Sequence, residues 1–446
     1  MCQAEFAGNL FQLLAPPARA WEEKPTGPTL KDYPQILGNR PMNADESALP
    51  PTKPPPDNFP SVEPPTAGFI LQLFLIPLLI VSIVIAVWMM FGWLAHAGQS
   101  NPETVLRDLK RMGSNSFQRA HELASLLQEQ GERGDALRND PKLAGEVGDL
   151  LLADLKSFPR EITESQGKLR MYLCRALALF QCEEAIPPLV AVLQHTGEGE
   201  GASSSQPALP AQAENDPNRK QALPSQAFNV QVRIGAAESL AILADKMGSQ
   251  ILQQRPDVVP ALLEATSPTE SQLNSDQATA EELAKHSAER MKSGYRPHQE
   301  LKAVATFALG VIRGDAATKR LNFLLRDAYH TTRYNAATGL ARQGDERALE
   351  TLLEMLDPAN KAPLDNEWHP KEKEQALVNT LRAGMQAAMR FAETNPKADI
   401  SKLRTAIENL SKDPLTALTN SGSRRMISLH ATETLRILEQ TAGSNK

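Results

Sequence analysis

The segment RIGAAESLA at Arg233–Ala241 and the segment RYNAATGLA at Arg333–Ala341 share one pattern, in which an arginine precedes two alanines and a leucine. Their apolar residues recur at the three- and four-residue spacing of one helix face. Small side chains at the centre of that face leave room for another backbone to approach. The pattern therefore predicts a helix that packs closely against a neighbouring helix.

Variants of this pattern occur elsewhere, and a leucine-rich pattern follows each copy. The variants are KAVATFALG at 302–310 and RMYLCRALA at 170–178, with a weaker copy from Arg119. The leucine-rich segments are AIPPLVAVL at 185–193, VVPALLE at 258–264, LNFLLRD at 321–327 and ALETLLEML at 348–356. Neither helix can bury its apolar face alone, so the pairs must stack. The sequence predicts an all-α solenoid over residues 98–440.

Equivalent positions in the copies are the candidates for holding the repeat together. Two turns, Gly314-Asp315 and Gly344-Asp345, place an aspartate before a helix, where it can cap the first turn. The glycine before each aspartate suits a left-handed backbone. The predicted repeat-structural residues are Arg233, Leu240, Leu309, Asp315, Arg333, Leu340, Asp345 and Leu352.

These segments resemble HEAT repeats, the two-helix α-solenoid family. The resemblance is strong at 168–195, 229–266 and 300–357, and weaker at 102–157 and 372–440. Arg333 and Asp345 look like the arginine and aspartate of that family. The resemblance implies a protein-binding module. The tetratricopeptide alternative lacks its tryptophan, Leu-Gly and tyrosine positions.

Cys182 stands where the family's aspartate would stand in the copy at 168–195. A continuous ladder of aspartate–arginine pairs therefore cannot be assumed from the resemblance.

Three insertions interrupt the predicted array. They cover residues 196–226, 267–297 and 358–371, and the middle one has a short helical pattern at 280–291. All three are rich in polar residues or in glycine and proline, which is typical of loops. We interpret them as tolerated insertions rather than as a contact surface.

One segment has the composition of a membrane-spanning helix. Residues 68–97 contain no Asp, Glu, Lys or Arg, and they are long enough to cross the hydrocarbon core of a bilayer. Pro77 lies within this segment, and Trp88 and Trp93 lie where an interfacial aromatic belt is expected. We predict a single transmembrane helix here.

The charges beside this segment indicate an orientation. Arg107, Lys110 and Arg111 follow the apolar segment closely, whereas Lys53 is the one basic residue among the fifteen that precede Gly68. The positive-inside rule then places the solenoid in the cytoplasm and residues 1–67 outside.

Residues 1–67 hold 14 of the 33 prolines, and we predict a disordered tail with one short helix at residues 5–14. The Pro51–Pro54 spacing matches a docking peptide, but a stiff spacer is the preferred interpretation. Residues 441–446 are predicted to be a disordered C-terminus.

Composition and motifs exclude several functions. The net charge of −6 and an aromatic content of 5% argue against nucleic-acid binding. Cys174 and Cys182 would lie about 12 Å apart on one helix, too far for a disulfide. With Cys2 they are expected to be three free thiols. The sequence contains no phosphate loop, no nucleophile elbow and no metal-type histidine or cysteine spacing. We therefore predict no cofactor, no metal site, no small-molecule substrate and no enzymatic activity.

The functional prediction is a membrane-anchored scaffold or adaptor, with a lipid bilayer and a protein as its partners. We expect the protein to bind on a concave face built by the second, leucine-rich helices, where Glu350 and Glu354 are candidate contacts. Two alternatives remain. The first is an enzyme of the lyase or maturation-factor type, because some bilin lyases carry HEAT-like repeats. The second is a structural component of a cell envelope.

Overall fold

The computed structural model describes residues 75, 78–79, 81–90, 102–111, 116–157, 162–196, 225–284, 296–364, 370–412 and 418–443. The chain divides into two units, one of which contains residues 101–446. The described residues form helices and turns but no strand, which confirms the predicted all-helical class.

The helices of the larger unit follow one another with short connections. Its first half contains α1 (Pro102–Lys110), α2 (Ser116–Gln128), α3 (Glu132–Arg138), α4 (Pro141–Ser157), α5 (Glu164–Leu177), α6 (Ile186–Gln194), α7 (Ser225–Met247) and α8 (Ser249–Gln254). Its second half contains α9 (Val258–Ala265), α10 (Glu270–Ala284), α11 (Pro297–Ile312), α12 (Asp315–Leu324), α13 (His330–Ala341), α14 (Leu349–Leu356), α15 (Pro370–Thr394), α16 (Ser401–Lys412) and α17 (Ser421–Gly443).

These helices form two rows. Each helix of the first row packs against the next, in the order α2, α5, α7, α11, α13, α15 and α17. The second row contains α4, α6, α9, α12, α14 and α16, and its helices fill the gaps behind the first row. The alanine-rich segments lie in the first row and the leucine-rich segments in the second, so the predicted solenoid of helix pairs is present.

One continuous apolar core runs between the two rows. The predicted structural leucines Leu240, Leu309, Leu340 and Leu352 are all fully buried in it. Alanines of the first-row helices, such as Ala336 and Ala337, are equally buried and keep adjacent backbones close. Burial of this surface is the main contribution to the stability of the stacked pairs.

The two glycine–aspartate turns differ. Gly314 (φ 97°) and Gly344 (φ 71°) both adopt the left-handed conformation that favours glycine. Asp345 caps the short helical turn after it, because its Oδ1 accepts a hydrogen bond from the backbone N–H of Arg347 at 3.1 Å. Asp315 does not cap: it is the first residue of α12 and Gly314 holds the cap position. The expected cap at Asp315 is therefore wrong.

Replacement of Asp345 by alanine is expected to reduce the free energy of unfolding by about 1 kcal/mol, since a backbone donor loses its acceptor. The Arg347 side chain also lowers the pKa of Asp345, but this pair is largely exposed and adds little. Thermal unfolding of the full chain in detergent measures the loss. Asp345→Asn keeps the capping oxygen and should behave like the wild type. An equal loss in both variants would contradict the capping role.

The predicted insertions lie partly outside the described residues. In the first, this applies to residues 197–224, and in the third to 365–369. The middle insertion contains the fifteen-residue helix α10, which packs against α7 and α11. The short helix predicted at 280–291 was therefore placed about ten residues too late. Asp276 of α10 anchors the helix, because its Oδ1 accepts a hydrogen bond from the His298 N–H at the start of α11 at 2.8 Å.

The predicted membrane segment is described only in part. Residues 81–90 are helical, and their side chains, including that of Trp88, are exposed. Pro77 and Trp93 lie outside the described residues, as do the predicted tail at 1–67 and residues 444–446. A search of the described helices finds none with both the length and the apolar character that a bilayer crossing requires.

Candidate interaction surface

A row of charged contacts links successive helix pairs at the ends of the second-row helices. Arg170 of α5 contacts Asp154 near the end of α4: Nε lies 2.6 Å from the Asp154 carboxylate and Nη2 lies 3.1 Å from its backbone oxygen. Both side chains are almost completely excluded from solvent. The guanidinium therefore neutralises a buried carboxylate and the negative end of the preceding helix together.

Arg233 and Arg333 occupy the same position in later copies. Arg233 donates from Nε to the Leu193 carbonyl at the end of α6, at 2.7 Å. Arg333 donates from Nη1 to the Asp327 carbonyl just after α12, at 2.8 Å. The arginine that opens each alanine-rich segment thus satisfies a carbonyl that the preceding second-row helix leaves without a helical partner.

The copy with lysine at this position divides the task between two residues. Lys302 binds both carboxylate oxygens of Asp327 at 2.9 Å, within its own helix pair. The carbonyl of Thr266, at the end of α9, instead accepts from Nη2 of Arg320 at 2.7 Å. An ammonium lacks the fork of a guanidinium, so a second residue serves the helix end.

The expected pairing of Arg333 with Asp345 is absent. Asp345 binds Arg347 in its own turn, and Arg333 donates from Nη2 to Oε1 of Glu354 at 2.7 Å. The same carboxylate oxygen accepts the Tyr334 hydroxyl at 2.9 Å. The Glu354 carboxylate is therefore bonded within its own helix pair, whereas Glu350 is exposed on α14.

The spacing of the rows shows which one lies on the inner side of the array. Gly310 of α11 and Gly339 of α13 meet backbone to backbone: a β-carbon built on Gly339 would lie 2.7 Å from the Gly310 Cα. The second-row helices of the same two pairs, α12 and α14, make little contact. The more closely spaced row of a curved two-layer array is the inner one. The prediction that the second helices build the concave face is therefore wrong.

We call the solvent side of the first row the inner face. Its residues follow a spacing of three or four along each helix, and they contact their equivalents on the next helix. The contacts join Lys168 to the Phe117 ring at 5.7 Å, His121 to the Tyr172 ring at 5.2 Å, and Arg342 to the Phe307 ring at 4.8 Å. The inner face includes Phe117, His121, Lys168, Tyr172, Arg175, Gln231, Gly235, Glu238, Glu300, Phe307, Asn335, Thr338 and Arg342.

A recess lies in the inner face at Gly235 of α7. The glycine is buried, yet a β-carbon built on it would meet no atom within 4 Å. Glu238 lies one turn further along α7, and its Oε1 is excluded from solvent without a hydrogen-bond partner. The guanidinium group of Arg175 lies over the Tyr172 ring on the neighbouring helix α5, 5.8 Å from its centre. An open space thus adjoins a buried, unsatisfied acceptor.

Burial raises the pKa of Glu238 to about 7; the field of Arg175 on α5 acts against this rise, and that of Glu300 on α11 adds to it. The sequence indicated none of this. Glu238 is the polar residue of GAAESLA, and a charge at helical spacing is normally a solvated side chain.

The pH dependence of stability should report this carboxyl group. Unfolded glutamate releases its proton near pH 4.5 and folded Glu238 near pH 7, so the unfolded state binds fewer protons in that window. The free energy of unfolding should therefore fall as the pH rises from about 4.5 to 7, by roughly 3 kcal/mol at about 1.4 kcal/mol per unit. Glu238→Gln should abolish this fall, whereas the exposed-site variant Glu350→Gln should retain it. Urea unfolding from pH 4.5 to 8 tests this, and identical profiles for all three proteins would contradict it.

The thiols and metal-type residues offer little chemistry. Burial raises the pKa of Cys174 to about 12 and that of Cys182 to about 11, so neither thiol is a ready nucleophile. Cys2 lies outside the described residues. In the described parts of the chain, no three His, Cys, Asp or Glu side chains lie close enough together to hold a metal ion.

Comparison with known proteins gives one match. The family model for the PBS lyase HEAT-like repeat matches residues 169–195 and 332–358. These segments are the pairs α5–α6 and α13–α14, which carry Arg170 and Arg333. No curated protein matches the chain. The protein is an α-solenoid with HEAT-like repeats.

Proposed function

We propose that this chain is a membrane-anchored scaffold that holds a protein partner on its inner face. The observation that carries the proposal is the continuous first row, from α2 to α17, which presents charged, aromatic and amide side chains on neighbouring helices. A row of this length offers a partner many weak contacts in fixed positions, which is how helical-repeat arrays bind extended ligands.

The anchor in this proposal is the apolar segment at 68–97. Its helical residues 81–90 carry exposed large hydrophobic side chains, among them Ile83, Val84 and Trp88. An exposed apolar helix of this kind is more stable in contact with lipid than with water. The basic residues Arg107, Lys110 and Arg111 favour a cytoplasmic position for the solenoid.

Carbonate extraction of membranes from expressing cells tests the anchor. The full chain should stay with the membrane pellet, because a lipid-embedded helix resists alkaline washing. A variant with Ile83 and Val84 both replaced by arginine should move to the soluble fraction. Release of the unaltered chain would overturn the membrane part of the proposal.

Site-specific photocrosslinking in the same cells tests partner binding. A benzophenone amino acid at Thr338 lies on the inner face, and the matched control at Glu350 lies on the second row. The proposal expects a crosslinked protein from the Thr338 position and none from the Glu350 position. Crosslinking from Glu350 alone would restore the surface that the sequence predicted, and its absence from both positions would contradict the scaffold.

The alternative of a lyase-type enzyme is favoured only by the description of the matching family model, which names a lyase. The same full-chain preparation can distinguish the two functions. Turnover of a bilin-type small molecule would favour the enzyme, and a stoichiometric protein partner would favour the scaffold.

A further inference from the structure

We propose that the recess over Gly235 binds a lysine or arginine side chain from a basic segment of a partner protein. This inference deepens the proposed scaffold function and rests on it. The recess lies in the middle of the inner face, between Tyr172 of α5 and the wall formed by α11.

The space itself is the first argument. A close-packed row of helices normally fills such a position with a side chain, and empty volume costs stability. The equivalent positions on the neighbouring helices are Tyr172 on α5 and Asn335 on α13, which both fill their sites and make contacts. The array therefore leaves one site open among filled ones.

The second argument is the acceptor beside the space. A buried carboxylate oxygen without a partner costs free energy that a hydrogen-bond donor would recover. Oε1 of Glu238 is such an atom. Lysine and arginine donate charge-assisted hydrogen bonds, which are the strongest available to a carboxylate.

The surroundings favour a cation over a neutral donor. Among the described residues, the charged groups whose fields reach Glu238 are Arg175 on α5 and Glu300 on α11. The Glu300 carboxylate also accepts the Tyr329 hydroxyl at 3.2 Å, so it is held in place. An incoming cation would lie near two carboxylates, and the flexible stem of a lysine or arginine suits a narrow recess.

Titration of the full chain in detergent with hexalysine tests the assignment. Wild type should bind the peptide, and a peptide with all side-chain amines acetylated should not bind. Glu238→Gln should weaken binding at least tenfold. Gly235→Leu fills the recess without removing a charge and should do the same. Glu350→Gln on the second row should bind like the wild type.

The pH dependence gives a readout that general charge attraction would not give. Binding of a cation favours the ionised form of Glu238, so affinity should rise between pH 6 and pH 8 in the wild type and stay flat in Glu238→Gln. Equal affinity of wild type, Glu238→Gln and Gly235→Leu would overturn the inference. Spermine that binds as tightly as hexalysine would overturn the assignment to a polypeptide.

Failure here and failure of the scaffold function can be told apart. The crosslinking experiment reports whether any protein docks on the inner face, whereas the hexalysine titration reports on the recess alone. A crosslink at Thr338 together with no hexalysine binding would leave the scaffold standing and remove the recess as its anchor point.

Discussion

Gly339→Ala is expected to lower the free energy of unfolding by about 2 kcal/mol, although alanine is the better helix former. The new β-carbon would lie 2.7 Å from the Cα of Gly310 and 3.1 Å from Cδ1 of Leu321. The nearer atom is backbone and cannot rotate away, so α11 and α13 must separate. Overpacking of this kind costs about 3 kcal/mol, and the higher helix propensity of alanine offsets about 1 kcal/mol of it.

Gly235→Ala is the matched control, since it is also an interior glycine of a first-row helix but has no atom within 4 Å. It should raise the stability by up to about 1 kcal/mol. Urea unfolding of the full chain in detergent, followed by far-UV circular dichroism, compares the two variants. The close approach of α11 and α13 would be contradicted if Gly339→Ala stabilised the chain as much as Gly235→Ala.

The second large effect is expected at the buried ion pair of Asp154 and Arg170. Asp154→Ala should lower the free energy of unfolding by about 3–5 kcal/mol, because a buried guanidinium loses its carboxylate. The side chains are only 1% and 0% exposed, and Oδ2 lies 2.6 Å from Nε. Glu393→Ala removes a carboxylate from the exposed pair with Arg390 and should cost under about 1 kcal/mol.

A double variant separates the value of the pair from the cost of breaking it. Asp154→Leu combined with Arg170→Met removes both charges and keeps the volume. We expect it to be at least about 2 kcal/mol more stable than Asp154→Ala. A double variant as unstable as the single one would show that the loss comes from packing and not from the uncompensated charge.

The repeat pattern of the sequence predicted the two rows well. In RIGAAESLA and RYNAATGLA the buried residues are those that the helical spacing assigned to the core, including Leu240 and Leu340. Periodicity reports which face of a helix is apolar, and stacking follows from that. The leading arginines were recognised as repeat residues, but their partners were not, because backbone carbonyls such as that of Leu193 leave no mark in a sequence.

The inner face was assigned to the wrong row for a related reason. A helical pattern separates core from solvent but does not say which of two rows is more closely spaced. That is decided by the meeting of Gly310 with Gly339, which lie 29 positions apart in the sequence. Glu238 was missed because the recess beside it depends on residues of three helices. Glu354 was expected on a free surface, but Arg333 and Tyr334 bind it.

The unequal spacing of the rows at α11 and α13 also sets the local radius of curvature. Like a wedge-shaped stone in an arch, each helix pair here is narrow on one side and wide on the other. The width of the narrow side depends on two hydrogen atoms, those that replace side chains at residues 310 and 339. Substitution by larger residues would flatten the arch at this joint, so the outline that the array presents can be changed by single residues without altering any surface group.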